Sequence, residues 1–174
     1  MTDSLLPDDI VELARQVIEE NRAVGLTVAV AESCTGGLVA AALTEIGGSS
    51  AVLDRGFVTY SNESKHEMLG VSMDLIDTFG AVSVAVAWSM AQGALKRSHA
   101  DVAVAITGVA GPDGGSEQKP VGTVVFACAR RGEDPEAVNA ELKLFDSART
   151  RSGVRRQAAL VALELLLPPS PATP

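Results

Sequence analysis

Apolar and polar positions along the chain switch repeatedly between two periods. Residues 26–31 form an apolar run rich in β-formers, and residues 38–46 carry apolar positions at Leu38, Ala42 and Ile46, which predicts a strand followed by a helix. Before them, Ile10, Val11, Ala14, Val17 and Ile18 make an apolar stripe at helical spacing. Pro7, Asp8 and Asp9 suit the start of that first helix. Residues 54–60 read as a second strand, with short helices over 61–70 and 72–79 and a longer Ala-rich one from Ser83 to about Lys96. Residues 101–106 are almost uniformly apolar, as a strand covered on both faces should be. Residues 122–129 and 137–145 predict two further strands, joined by a turn at 132–135 that is short enough for an antiparallel hairpin. A last helix spans 149–167 with Val154, Ala158, Val161 and Leu165 on one face, and Pro168 stops it. The alternation predicts an α/β chain: a three-layer α/β/α sandwich around a mixed, mostly parallel sheet of about five strands. Residues 1–167 are expected to form a single domain, and 168–174 a disordered Pro-rich tail.

Composition narrows this picture. Hydrophobic residues make up 47% of the 174 but aromatic ones only 3%, so the core must be built from Ala, Val, Leu and Ile, which suits helices packed closely on a sheet. The net charge of −8 argues against duplex nucleic acid as a partner. No stretch reaches the ~18 consecutive apolar residues of a membrane span. The N-terminal residues lack the basic and apolar regions of a signal peptide. Cys34 and Cys128 are too few for a disulfide framework or a zinc site, and His66 and His99 have no companions at metal-ligand spacing. The expectation is a cytoplasmic protein with reduced thiols, no metal and no cofactor.

Two stretches carry candidate chemistry. Glu32-Ser33-Cys34-Thr35-Gly36-Gly37 sits where the first strand turns into a helix, the end of a sheet at which α/β proteins gather ligands. A hydroxyl or thiol held there could attack a carbonyl, with N–H groups of the turn receiving the oxyanion. The same Ser and Thr also serve as ordinary helix caps, and two adjacent nucleophiles leave the choice between Ser33 and Cys34 open. Thr107, Gly108, Gly111, Asp113 and Gly114 lie in a Gly-rich loop directly after the third strand. It matches neither phosphate-loop pattern and reads either as a ligand contact or as a plain turn. Tyr60 ends the second strand and Lys65 follows about one turn into the next helix. Taken alone they are a strand-end aromatic and a solvated lysine; with Ser33 they could form a Ser–Lys–Tyr group, since burial can bring a lysine toward neutrality.

Residues 31–37, 55–62 with Lys65, 80–83, 106–115, 119–123 and 154–158, taken together and in this order, resemble the C-terminal domain of the competence/damage-inducible protein CinA. The resemblance covers roughly residues 8–167. It implies a metal-independent serine amidohydrolase that converts nicotinamide mononucleotide to nicotinate mononucleotide and ammonia. Ser33 matches the family's nucleophile, and Tyr60 and Lys65 its proton-transfer partners. The Gly-rich loop matches a substrate-contacting segment, and for such a reaction the N–H groups around Thr35, Gly36 and Gly37 are expected to hold the oxyanion. Arg149 or Arg151, and Arg156, are candidates for the substrate phosphate, and the family's habit implies a homo-oligomer. The sequence also departs from the family pattern: Val84-Ala85 stand where the family has Glu-Pro, Ser89 where it has Glu, and residues 147–151 replace its Gly-Asp-Arg. Those losses motivate an alternative, a catalytically weak domain that binds a ligand or partner. A Cys34-dependent hydrolase is a third reading.

Overall fold

The computed structural model describes residues 4–148 and 150–169. Its elements in order are α1 (Asp8–Val24), β1 (Val28–Glu32), α2 (Leu38–Thr44), β2 (Leu53–Val58), α3 (Asn62–Leu69), α4 (Met73–Phe79), α5 (Val84–Lys96), β3 (Val102–Gly108), β4 (Thr123–Arg130), β5 (Ala140–Leu144) and α6 (Arg151–Leu165). Single 3-10 turns at Ser49–Ala51 and Asp146–Ala148 were not anticipated.

The strands form one sheet in the order β2-β1-β3-β4-β5. β1 pairs in parallel with both β2 and β3, and β4 runs antiparallel to β3 and to β5, so β4 alone points the other way. The sheet is mixed as expected. β1 and β3, at its centre, are buried on both faces. The fifth strand starts three residues later than the pattern suggested, because turn bonds from Ala137 N–H to the Asp134 carbonyl and from Val138 N–H to the Glu136 carbonyl hold that segment in the loop. The last helix starts at Arg151, where the Thr150 side chain accepts from Gly153 N–H and caps it. Residues 170–174, most of the expected tail, lie outside the described residues. Among the described residues no helix is long and apolar enough to cross a membrane.

The two sheet faces are paved differently. α1, α2 and α6 cover Val28, Val30, Val102, Val104, Ile106, Val124 and Phe126. The opposite face shows α5 chiefly alanines: Ala29, Ala31, Ala103, Ala105, Ala127 and Ala129, with Val125. Short side chains let α5 lie close to the sheet and to α3. At Gly93 of α5 an added Cβ would meet the Leu69 carbonyl oxygen at 2.0 Å. That approach is backbone against helix and no rotamer change relieves it. Gly93→Ala is therefore expected to destabilise the protein by about 1–3 kcal/mol or more despite the better helix propensity of alanine, read as a lowered midpoint in denaturant unfolding.

Candidate active site

Three parallel strands end together, and the residues singled out in the sequence lie just past those ends. Ser33 follows β1, Tyr60 lies beyond β2, and Thr107 and Gly108 close β3. A cleft of ≈ 310 Å³ opens between them, lined by Ser33, Cys34, Tyr60, Asn62 and Lys65 and by Gly108, Gly111, Asp113, Gly114 and Arg151 of the facing loop and helix.

Lys65 is delivered from below. Ser61 caps α3 through a bond from Ser64 N–H, which fixes the helix and aims its fourth residue back into the protein. The Lys65 side chain is 1% exposed, and its amine lies 3.1 Å from Ser33 Oγ. The amine donates to the Thr59 carbonyl at 2.9 Å and more weakly to the Tyr60 carbonyl at 3.5 Å. Among the described residues no carboxylate pairs with it. Burial pulls its pKa below the ordinary lysine value, with the neighbouring Cys34 acting in the opposite sense. A largely buried amine against a serine hydroxyl at the mouth of a cleft has the geometry that a general base and a nucleophile require. Cys34 is the poorer candidate: burial pushes its thiol up to about 11, so it stays protonated at neutral pH.

The turn that carries Ser33 is fixed by two charged groups. Glu32 is fully buried, and its carboxylate accepts from Val39 N–H at 2.9 Å and Ala40 N–H at 3.1 Å, occupying donors at the start of α2. Arg155 of α6 donates to the carbonyls of Cys34 and Thr35, at 3.2 and 3.0 Å. Gly36 N–H is taken by the Ser33 carbonyl and Leu38 N–H by that of Thr35. Of the expected oxyanion turn, Gly36 therefore has no N–H to offer, and its role is its left-handed backbone, φ 61°. Cys34, Thr35 and Gly37 carry the N–H groups of the turn that no main-chain bond consumes among the described residues. The Thr35 hydroxyl is buried without a hydrogen-bond partner.

The remaining candidates separate clearly. Tyr60 is 61% exposed, and its hydroxyl accepts from Arg151 Nη2 at 2.9 Å; no hydrogen bond joins that hydroxyl to Ser33 or Lys65. Arg151 also donates to the Gly111 carbonyl at 2.6 Å, so it ties the Gly-rich loop to Tyr60 across the cleft. A guanidinium has five N–H donors, which leaves some free for a ligand. The Thr107 hydroxyl donates to the Ala81 carbonyl and braces the loop before α5. Asp113 stands on the cleft rim, exposed. Arg156 does not belong to this group: it pairs with Asp9 of α1 at 2.6 Å, on the surface and outside the cleft. Arg149 lies outside the described residues. Glu32 and Arg155 lie within the sequence motifs without a role read for them, and Asn62, at the first position of α3, also lines the cleft. The i,i+4 spacing of Arg151 and Arg155 would have set them on one helix face and Arg156 on another. Among the described residues no three His, Cys, Asp or Glu side chains gather as a metal site.

Comparison with known proteins identifies relatives of the whole chain. The model of the CinA C-terminal domain matches residues 10–168. The nicotinamide-nucleotide amidohydrolase PncC of Escherichia coli K12 is 52% identical over 167 residues, covering 95% of both chains. The Enterobacter agglomerans protein of the same name is 50% identical over 156 residues, 90% of this chain and 92% of that one. The crystal structure of competence/damage inducible protein CihA from Agrobacterium tumefaciens superposes with a TM-score of 0.88 at 52% identity, covering 94% of this chain and 96% of that one. The departures at Val84, Ala85 and Ser89 line a separate groove on the outer side of α5 and leave the cleft untouched. With the fold, the strand-end cleft and the full-length match in agreement, the chain belongs to the CinA C-terminal domain family.

Proposed function

We propose that the protein hydrolyses the carboxamide of nicotinamide mononucleotide, giving nicotinate mononucleotide and ammonia. The observation that carries this reading is the buried Lys65 amine 3.1 Å from Ser33 Oγ at the mouth of the cleft; the relatives named for this activity supply the substrate. In the working state Lys65 is neutral and accepts the Ser33 hydroxyl proton as Oγ attacks the carboxamide carbon. The resulting oxyanion is received by N–H groups of the turn, with Cys34, Thr35 and Gly37 the available donors. Collapse breaks the C–N bond, and Lys65 returns the proton to the departing nitrogen, which leaves as ammonia. Water then attacks the Ser33 ester and gives a proton to Lys65. The ester C–O bond breaks, and Ser33 recovers its proton from the same amine. Proton transfer rests on Lys65. Tyr60 serves through its carbonyl on that amine and through its hydroxyl on Arg151, as a wall of the cleft.

The substrate phosphate meets a chain of net charge −8, so local donors must outweigh the overall field. Arg151 is the cation on the rim, next to the Gly-rich loop, and we assign it to the phosphate.

An ammonia-release assay on nicotinamide mononucleotide tests the activity and distinguishes it from the catalytically weak alternative. Ser33→Ala should lower the rate by several orders of magnitude, roughly 10⁶-fold by analogy with serine proteases, while Cys34→Ala stays active. The reverse pattern would move the nucleophile to Cys34. A chelator should change nothing.

Because neutral Lys65 is the base, kcat should rise with pH through its lowered pKa. Between that pKa and its ordinary 10.5 the unfolded chain binds more protons than the folded one, so stability should rise with pH in the same window. Lys65→Met should remove both dependences and lower kcat by roughly 10²–10⁴-fold. Tyr60→Phe, which keeps the carbonyl, should lose far less; equal losses would restore Tyr60 to the proton path.

For the phosphate, Arg151→Ala should weaken kcat/KM roughly ten- to a hundred-fold on nicotinamide mononucleotide and little on nicotinamide riboside, which lacks the phosphate. Arg156→Ala removes only an exposed ion pair and should leave both substrates unaffected. An equal Arg151→Ala penalty on both substrates would place phosphate binding elsewhere.

A further inference from the structure

β3 runs past the end of β1, whose last residue, Glu32, pairs with Ile106. Main-chain bonds along β3 alternate between its two neighbours. Arg131 N–H donates to the Asp101 carbonyl and Val109 N–H to the Thr123 carbonyl, so the odd-numbered residues turn their main chain toward β4. The even-numbered residues face β1: Val102 N–H donates to the Thr27 carbonyl, and the Ile106 carbonyl accepts from Ser33 N–H. Gly108 is the next even residue. On a continued pair of strands its N–H would donate to the Ser33 carbonyl. That carbonyl accepts from Gly36 N–H instead, as the chain turns away after β1. Among the described residues the Gly108 N–H is therefore left without an acceptor, and it faces the gap that β1 vacates.

That gap is the cleft, and Ser33, Cys34 and Gly108 all line it. Ala29 and Ala31 lie on the α5 side of the sheet, and side chains alternate along a strand, so Ser33 falls on the same side. There α3 brings the Lys65 amine to Ser33 Oγ. The nucleophile and the free N–H thus reach the cleft from adjacent strand ends. Of the turn N–H groups left free by the main chain, only that of Cys34 belongs to a residue lining the cleft.

Gly108 contributes main chain alone. A Cβ there would meet Val124 Cγ2 at 2.8 Å and the Thr123 carbonyl oxygen at 2.9 Å. The residues around it are fastened: the Thr107 hydroxyl donates to the Ala81 carbonyl, and Val109 exchanges main-chain bonds with Gly122 and Thr123. An N–H group fixed in this way and lacking a partner is a preorganised donor for charge that develops in the cleft.

We propose that the Gly108 N–H is a catalytic group: together with the Cys34 N–H it receives the oxyanion formed when Ser33 attacks the carboxamide. The proposal rests on the amide hydrolysis assigned above. It gives the Gly-rich loop a part in the chemistry itself, beside any contact with the rest of the substrate, and it draws the two oxyanion donors from opposite walls of the cleft.

A side-chain substitution at Gly108 would push on β4, so the test exchanges a single group. Cell-free translation with glycolic acid in place of Gly108 links the chain through an ester, which removes the N–H and keeps every side chain. In the ammonia-release assay kcat should fall roughly 10²–10³-fold, with KM changed far less. Lactic acid in place of Ala127, which pairs with Ala105 in the middle of the β3–β4 ladder, is the control. It should lower the unfolding midpoint at least as much and leave kcat close to that of the unaltered protein. A fluorophosphonate reads the same donor without the substrate: Ser33 Oγ bonds to phosphorus, fluoride leaves, the hydroxyl proton passes to Lys65, and the phosphoryl oxygen takes the oxyanion position. The ester at Gly108 should slow this labelling by a similar factor. If the unaltered protein is labelled at Ser33 but releases no ammonia from nicotinamide mononucleotide, the substrate assignment falls and the labelling ratio still decides the donor. Should the ester protein not fold, the Gly108 amide of the unaltered protein decides: it should exchange rapidly with solvent when the cleft is free, and slowly, with its proton resonance moved downfield, in the Ser33 phosphonyl adduct. Equal kcat and equal labelling for the two ester proteins, a Gly108 amide indifferent to the adduct, or no labelling of Ser33 at all would overturn the proposal.

Discussion

Moving an ammonium group from water into a protein interior costs on the order of several kcal/mol. Lys65 is enclosed at the end of the parallel strands, and among the described residues no carboxylate pairs with it. The site depends on the way that cost is resolved. The amine loses its proton more readily than a solvated lysine does, and its donors are satisfied by neutral oxygens of Thr59 and Tyr60 rather than by a charge. A carboxylate in the same place would have held the proton on. The nearby buried acid, Glu32, is kept from that role by two N–H groups of α2, which compensate its charge locally. One acid and one amine are thus buried near each other, each answered by main chain.

The architecture supplies the two conditions for this. Parallel strands covered on both faces end side by side, and the Lys65 side chain directed among those ends is shut off from water. The three strand ends then bring residues distant in sequence together: Ser33 from β1, Lys65 by way of β2 and α3, and the Gly-rich loop from β3. α6, which crosses the same end, reaches two of these segments through Arg151 and Arg155.

Much of the fold was legible because the relevant signals are local. The apolar runs of β1 and β3, the stripe on α1 and the glycine-marked turns each need only a window of a few residues. The nucleophile turn and the Gly-rich loop could be placed for the same reason, as polar, glycine-rich breaks at strand ends. What could not be read is contact between segments. Nothing near Arg156 in sequence announces Asp9 across the surface, and nothing near Tyr60 says that its hydroxyl is taken by Arg151. Glu32 read only as part of the polar turn after the strand, because its partners are N–H groups of a helix not yet begun. The late start of β5 has a similar cause: residues of the 134–138 turn suit a strand by type, yet hydrogen-bond among themselves first.

Arg151 and Arg155 hold two walls of the cleft from a single helical turn, the first of α6. Helix ends fray at a free-energy cost well below that of unfolding the whole protein. Each such opening would free the Gly-rich loop from Arg151 and the Ser33 turn from Arg155 at once, leaving Glu32 as the remaining charged hold on that turn. The cleft then behaves as one cooperative unit, with lower local stability than the sheet it stands on. Warming should then loosen the cleft before the alanine-lined core, and turnover should be lost below the melting point of the fold.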